Sequence, residues 1–413
     1  MQQSGSQATT VSVSSDRAFL WRLCISAWLF RLVIIILYAL TDAIERFNLS
    51  LDHRRYDNEG IWVMNAMNYG DFALKSWIDD GWFQFVGLIY FLLWPSPVLI
   101  QLVNITLSVV TVIPLFLMIR ELTADVRVQR FYAILIAFFP SIMFWSTLML
   151  KDAAAILAVA LVIYGVFVLR QRFSLWPLLG LVAGLVIFIG TRTYLFIVVV
   201  MLMPAAFLLF PAGKKQIPWR IIILPALIGL IPMAIGYGYF ASGEFQQSMY
   251  FDIDYINSVR GSMSTGSGAL FDDGGHTWGR GIGSDIWLAV TTLFAIFVPV
   301  NPFELANVRQ LAALPFVLVM FYLFPFLIRG VRYLWAQRRL TAPIMVIASG
   351  VLAVYIGGTS NTGALFRWTA QVMPYFLLAI SFAAFARRRS ILARFATWSV
   401  LAFSRPRRIA VAY

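Results

Sequence analysis

Apolar runs of about 17–25 residues recur along the chain, each long enough to cross a hydrocarbon core of ~30 Å as a helix. In lipid such a run must satisfy its own backbone polar groups, which restricts it to helices or closed barrels. A barrel would show short alternating segments instead. The fold class implied is therefore all-α, a polytopic membrane protein. The residue balance agrees, with 61% of the 413 residues hydrophobic and only 12% charged.

The net charge of +13 would ordinarily suggest nucleic acid. Here the excess Arg and Lys sits in short loops and the tail, as cytoplasmic loops require, so no nucleic-acid partner is expected. Cys24 is the single cysteine, which rules out a disulfide framework. Residues 1–15 are Ser/Thr/Gln-rich, are expected to be disordered, and lack the pattern of a signal peptide.

The charges also set the topology. Asp16, Arg17 and Arg22 flank the start of a first span at 19–41, so residues 1–18 are expected in the cytoplasm and loop 42–80 outside. Basic loops around Arg120–Arg130, Arg170–Arg172, Lys214–Arg220, Arg329–Arg339 and Arg387–Arg389 all favour the cytoplasm. Parity then leaves two apolar runs, 82–94 and 286–300, as outer-leaflet or re-entrant helices buried against protein. The expected architecture is about ten full spans within a transmembrane domain at 19–389, with outer loops at 42–97 and 241–310. A basic amphipathic tail, 390–413, would lie on an anionic cytoplasmic leaflet. Twelve spans would break the charge rule twice. The expected location is the plasma (inner) membrane, multi-pass, with both termini cytoplasmic.

The outer side collects unusual residues. Residues 51–60 carry Asp52, His53, Arg54, Arg55, Tyr56, Asp57 and Glu59. If this stretch is helical, Asp52, Tyr56 and Glu59 share one face, while His53 and Asp57 share the next. The plain alternative is a solvated interfacial helix with internal ion pairs. Lys151 and Asp152 stand at the rim of two spans. Lys151 can snorkel, but Asp152 is too short to do so, which makes it a functional candidate. Arg192 and Arg367 are lone cations at outer turns. They suit either a phosphate ligand or a structural ion pair with Asp57 or Asp152. In loop 241–285, Asp272, Asp273 and His276 could touch a divalent metal, but so few loose ligands do not make a site, and a flexible lid is the simpler reading. No cofactor is fixed by the sequence, and a divalent metal stays open.

The order of these features resembles a known family. One span and an outer acidic loop are followed by the Trp82-to-Trp94 run with Pro95 and Pro97. Then come Leu102-Val103-Asn104-Ile105 leading to Arg120-Glu121-Leu122, and Phe139-Pro140-Ser141 with Phe144-Trp145-Ser146 ahead of Lys151-Asp152. The stretch 19–210, and more loosely 286–386 with Arg367 in its Ser360-to-Arg367 turn, is similar to the GT-C superfamily of integral membrane glycosyltransferases. The closest likeness is to bacterial members similar to dolichyl-phosphate-mannose–protein mannosyltransferases and lipopolysaccharide-core transferases.

The resemblance implies a polyprenyl-phosphate sugar donor and a lipid-linked glycan, lipid or protein acceptor at the outer face of the membrane. It implies Asp57 as general base, with Asp52 as its rival because the acids of the first loop are split, and Asp152 as second acid. Arg192 and Arg367 would face donor phosphate, with Lys151, Tyr56, Glu59 and His276 as further substrate contacts. An outer-leaflet polysaccharide polymerase or ligase with a lipid-pyrophosphate donor would lean on Arg and His instead. A transporter would place charge at mid-depth, where Arg31 is the main exception in nearly charge-free spans.

Overall fold

The computed structural model describes residues 4–47, 52–70, 81–208, 257–258, 279, 281–299, 308–358, 362–386 and 400. Among them every regular element is a helix. In chain order these are α1 (Ser4–Thr41), α2 (Ala43–Arg46), α3 (Asp52–Asn68), α4 (Gly81–Leu92), α5 (Pro97–Val110), α6 (Val112–Leu122), α7 (Val126–Phe138) and α8 (Pro140–Ser146). They are followed by α9 (Asp152–Leu169), α10 (Leu175–Thr191), α11 (Thr193–Leu208), α12 (Ile282–Phe297), α13 (Val308–Ala336), α14 (Arg338–Gly358) and α15 (Thr362–Ala386).

Among the described residues five helices are long and apolar enough to cross a membrane: Asp16–Thr41, Pro97–Leu122, Asp152–Leu169, Gln310–Ala336 and Phe366–Phe385. The chain is a multi-pass membrane protein by this measure. A sixth candidate is the pair α7 and α8, bent by 43°. The ten-span reading of the sequence takes 131–149 as a span separate from 153–169. Within that span Phe139 is extended and Pro140 takes the first position of α8, because proline cannot donate to the turn before it and clashes with that turn's carbonyl. The runs 82–94 and 286–300 form the short apolar helices α4 and α12. The expected span 221–240, the loop acids of 241–285 and most of the tail 390–413 lie outside the described residues. Helix α1 begins at Ser4, inside the stretch expected to be disordered.

Helix α9 is the centre of the bundle: nearly every residue from Asp152 to Leu169 is buried. It packs chiefly against α10, with α5, α6 and α15 around it. Small residues allow close approach, as they do between membrane helices generally. A Cβ on Gly184 of α10 would come within 2.9 Å of the Ala158 carbonyl of α9. Helices α3 and α4 cross in the same way. A Cβ on Gly60 would meet Val86 Cγ1 at 2.3 Å, and one on Gly87 would meet Val63 Cγ1 at 2.3 Å. This crossing decides which face of α3 is turned toward α4 and which toward the bundle. By contrast, α1 and α13 are only partly covered, and both expose rows of large apolar side chains such as Leu29, Val33 and Leu40, or Leu318 and Phe321.

Candidate functional site

Three helix beginnings and one helix junction meet at the site. Asp52 is the first residue of α3 and Asp152 the first of α9. Each carboxylate therefore lies at the positive end of a helix dipole. Arg192 is the single residue between α10 and α11, with φ −151° and ψ 67°. Its neighbours Thr191 and Thr193 donate their hydroxyls back to the carbonyls of Ile187 and Ile189, which satisfies the groups the break would orphan. Arg367 lies in the second turn of α15, a poor place for a cation on dipole grounds alone, so its position depends on the acids around it.

Asp152 is fully buried and bracketed by both arginines. Arg192 donates from NH2 to its Oδ1 at 3.0 Å, Arg367 donates from Nε to its Oδ2, and Gln371 Nε2 donates to Oδ1 at 3.1 Å. Arg367 spends its remaining nitrogens on α3: NH1 donates to Asp52 Oδ2 and NH2 to the Tyr56 hydroxyl at 3.3 Å. Burial keeps the Tyr56 phenol above its usual range, so it is a neutral hydroxyl at physiological pH. Arg192 NH1 donates to the Tyr194 hydroxyl at 2.8 Å, and its guanidinium lies 5.7 Å from the centre of the Trp368 ring. Its Nε is buried without a partner.

The backbone carrying Arg367 is itself held. Trp145 Nε1 donates to the Phe366 carbonyl at 3.1 Å, and the Phe366 ring packs against Phe144, Trp145 and Phe316. Thr369 donates to the Ile296 carbonyl at the end of α12. Exposure rises in one direction along the network: the side chains are 0% exposed at Asp152, 7% at Arg192, 14% at Arg367 and 42% at Asp52. Asp52 is thus the open edge of an otherwise enclosed set of balanced charges.

The sequence expectations divide on this geometry. Asp52, Tyr56, Asp152, Arg192 and Arg367 come together. Asp57 does not join them: it points to the α4 side of α3, where the Tyr90 hydroxyl donates to its Oδ1 at 2.6 Å. Glu59 is half-buried, and no ion pair joins it to the arginines among the described residues. Lys151 takes the N-cap position of α9 and is also half-buried. His276 and its neighbouring acids lie outside the described residues. Of the two structural pairings open to the arginines, the one with Asp152 forms.

Four members were not foreseen: Tyr194 and Trp368 beside Arg192, and Gln371 and Tyr355. Tyr355 donates to Gln371 Oε1, which orients the amide toward Asp152. Gln371 follows Arg367 by one helical turn on the same face, in an otherwise apolar helix. That spacing was the available signal.

The site gathers no metal-binding set: no group of three or more His, Cys, Asp or Glu is assembled among the described residues. Asp52 and Asp152 already face guanidinium groups. Compared with known family models, curated proteins and solved structures, the chain matches none.

Proposed function

We propose that this protein is a membrane glycosyltransferase, taking a sugar from a polyprenyl-phosphate donor to a cell-envelope lipid, glycan or protein acceptor at the outer face of the plasma membrane. The observation that carries this reading is Arg367 joining Asp52, at the open edge, to the buried Asp152. Transfer from a lipid phosphate needs a carboxylate to take the acceptor's proton and cations to stabilise the departing phosphate, both reachable from the bilayer rim. The network supplies both, with Asp52 rather than Asp57 beside the arginines.

In the resting arrangement Asp52 occupies Arg367 NH1. A donor phosphate takes that place, since phosphate offers the guanidinium a stronger bidentate partner than a half-exposed carboxylate. The exchange frees Asp52 to accept the proton of the acceptor hydroxyl. Asp152 stays buried and keeps both arginines aimed at the phosphate. Arg192, with one unpartnered nitrogen, completes the cation pair.

The sidedness of this reading rests on the ion pairs at the opposite end. Asp16 pairs with Arg120 and Arg130, and Arg172 with Glu121. The loops expected in the cytoplasm thus share one end of the bundle, as the positive-inside rule requires. Counting the bent pair and the shorter apolar helices α10, α11 and α14 as spans gives nine crossings among the described residues, and the apolar run 221–240, outside them, would be a tenth.

The test compares Asp52→Asn with Asp57→Asn in proteoliposomes supplied with polyprenyl-phosphate sugars. Transfer should fall by a factor of roughly 10²–10⁴ for the first and by much less for the second. Equal loss in both, or loss only with Asp57→Asn, overturns Asp52 as the base.

A further inference from the structure

Between α8 and α9 the chain runs through residues 147–151 without helical structure, yet Ser146, Thr147, Leu148, Met149 and Leu150 are all fully buried. Irregular backbone at membrane depth is tolerated only where protein satisfies its polar groups, each of which otherwise costs several kcal/mol. Side chains of α5 do so here, and one from α1 holds the residue that enters the turn. Gln101 Nε2 of α5 donates to the Thr147 carbonyl at 3.1 Å. Asn104 Nδ2, one turn along α5, donates to the carbonyls of Leu148 at 2.7 Å and Leu150 at 2.8 Å. Arg31 Nε of α1 donates to Ser146 Oγ at 2.9 Å, at the end of α8.

Arg31 is the unusual member. It is fully buried in the first span, and its other bond goes to the Ala27 carbonyl of its own helix. No ion pair to a carboxylate involves it among the described residues, and its NH2 has no hydrogen-bond partner. An uncompensated charge in that position opposes folding. A residue kept for stability alone would be neutral.

We propose that Arg31, Gln101 and Asn104 are positioning residues for Asp152. Gln101 and Asn104 clamp the 147–151 turn and Arg31 holds Ser146, the residue that enters it, and the turn in turn fixes the first residue of α9 between Arg192 and Arg367. The inference rests on the reading of Asp152 as part of the transferase site. What it adds is that stability and positioning run in opposite directions at Arg31.

The test uses the full chain in nanodiscs. In a Cys24→Ala background, Lys151→Cys carries a spin label that reports motion of the turn. Arg31→Met and Asn104→Leu are each added to it. The label should be immobile in the parent and gain a mobile component in both variants. The melting midpoint of Arg31→Met should stay level with the parent or rise. Unlabelled Arg31→Met and Asn104→Leu, with Lys151 intact, should lose roughly 10- to 100-fold in kcat at unchanged donor KM, as expected when the carboxylate that aims the two arginines is displaced by about an ångström. Labels that stay immobile while both variants melt earlier overturn the clamp and leave ordinary packing. Mobile labels with unchanged transfer keep the clamp on the turn and instead overturn the part assigned to Asp152.

Discussion

At the end of the bundle bearing Asp16, Arg120, Arg130, Glu121 and Arg172, ion pairs are long or open to solvent, and the enclosed Arg130–Asp16 pair, at 12% and 11% exposed, is itself long at 3.4 Å. Arg120 stands 3.7 Å from Asp16, and the Arg172–Glu121 pair is 65% and 35% exposed. At the other end, Asp152 holds two arginines in an enclosed network whose exposure is confined to Asp52. Both ends begin from the same residue types. Solvated pairs contribute little because water screens them and their side chains lose freedom. Buried ones repay their desolvation only when geometry and hydrogen bonding are nearly complete. The first end needs only net positive charge, whereas the second has specified where each atom lies, which is what chemistry requires.

The strongest way to break this contrast is Asp152→Asn. It leaves Arg192 and Arg367 buried with one amide between them. Removing one partner of a buried set costs about 3–5 kcal/mol, so the variant should melt far earlier, if it folds at all, and show no transfer. Retained stability would mean that the arginines repartner with Asp52, and that the site end is as adaptable as the basic end. Asp52→Asn comes next. It should cut transfer by the factor of roughly 10²–10⁴ expected for loss of a base, with a stability change of no more than about 1 kcal/mol, because the side chain is partly solvated and Tyr56 still holds Arg367. A large stability loss here would make Asp52 a structural partner instead of a base.

The convergence of Asp152, Arg192 and Arg367 was legible in the sequence, because charge counting placed their loops on one side, the two arginines were lone cations, and Asp152, beside Lys151, was too short to snorkel. The choice between Asp52 and Asp57 was not. Residues five apart lie on different faces of one helix, and the face turned inward is set by how α3 crosses α4. That crossing depends on Gly60 and Gly87 fitting against Val86 and Val63, a long-range match that periodicity does not encode. The break at Pro140 had a visible cause, yet the apolar run continued through it and hid the bend. The buried 147–151 turn left no pattern at all, since its satisfaction comes from Gln101 and Asn104, more than forty residues earlier.

His53 gives a smaller, pH-dependent effect at the site end. It is buried on α3 with Nδ1 unpartnered, and burial lowers its pKa from the usual 6.5, a shift that the nearby Asp57 only partly opposes. The unfolded chain therefore takes up a proton before the folded one does. Stability is fully present above pH 6.5 and falls as the pH drops below it. Melting midpoints between pH 7.5 and 5 should decline in the parent, and His53→Gln should flatten the part of that slope due to this residue. An unchanged slope would place the pH sensitivity elsewhere.

The smallest effect belongs to the basic end. Glu121→Gln removes the carboxylate from Arg172, whose side chain is mostly in water, so the change should be within about 0.2–1 kcal/mol and shrink further at high salt. Transfer should not change. Orientation should not change either, because the positive-inside rule counts Lys and Arg and acidic residues contribute little to it. If Glu121→Gln destabilised the protein as much as Asp152→Asn, the two ends would not differ in kind. Burial at the site end would then be a general property of this bundle, and no longer a reason to place chemistry there.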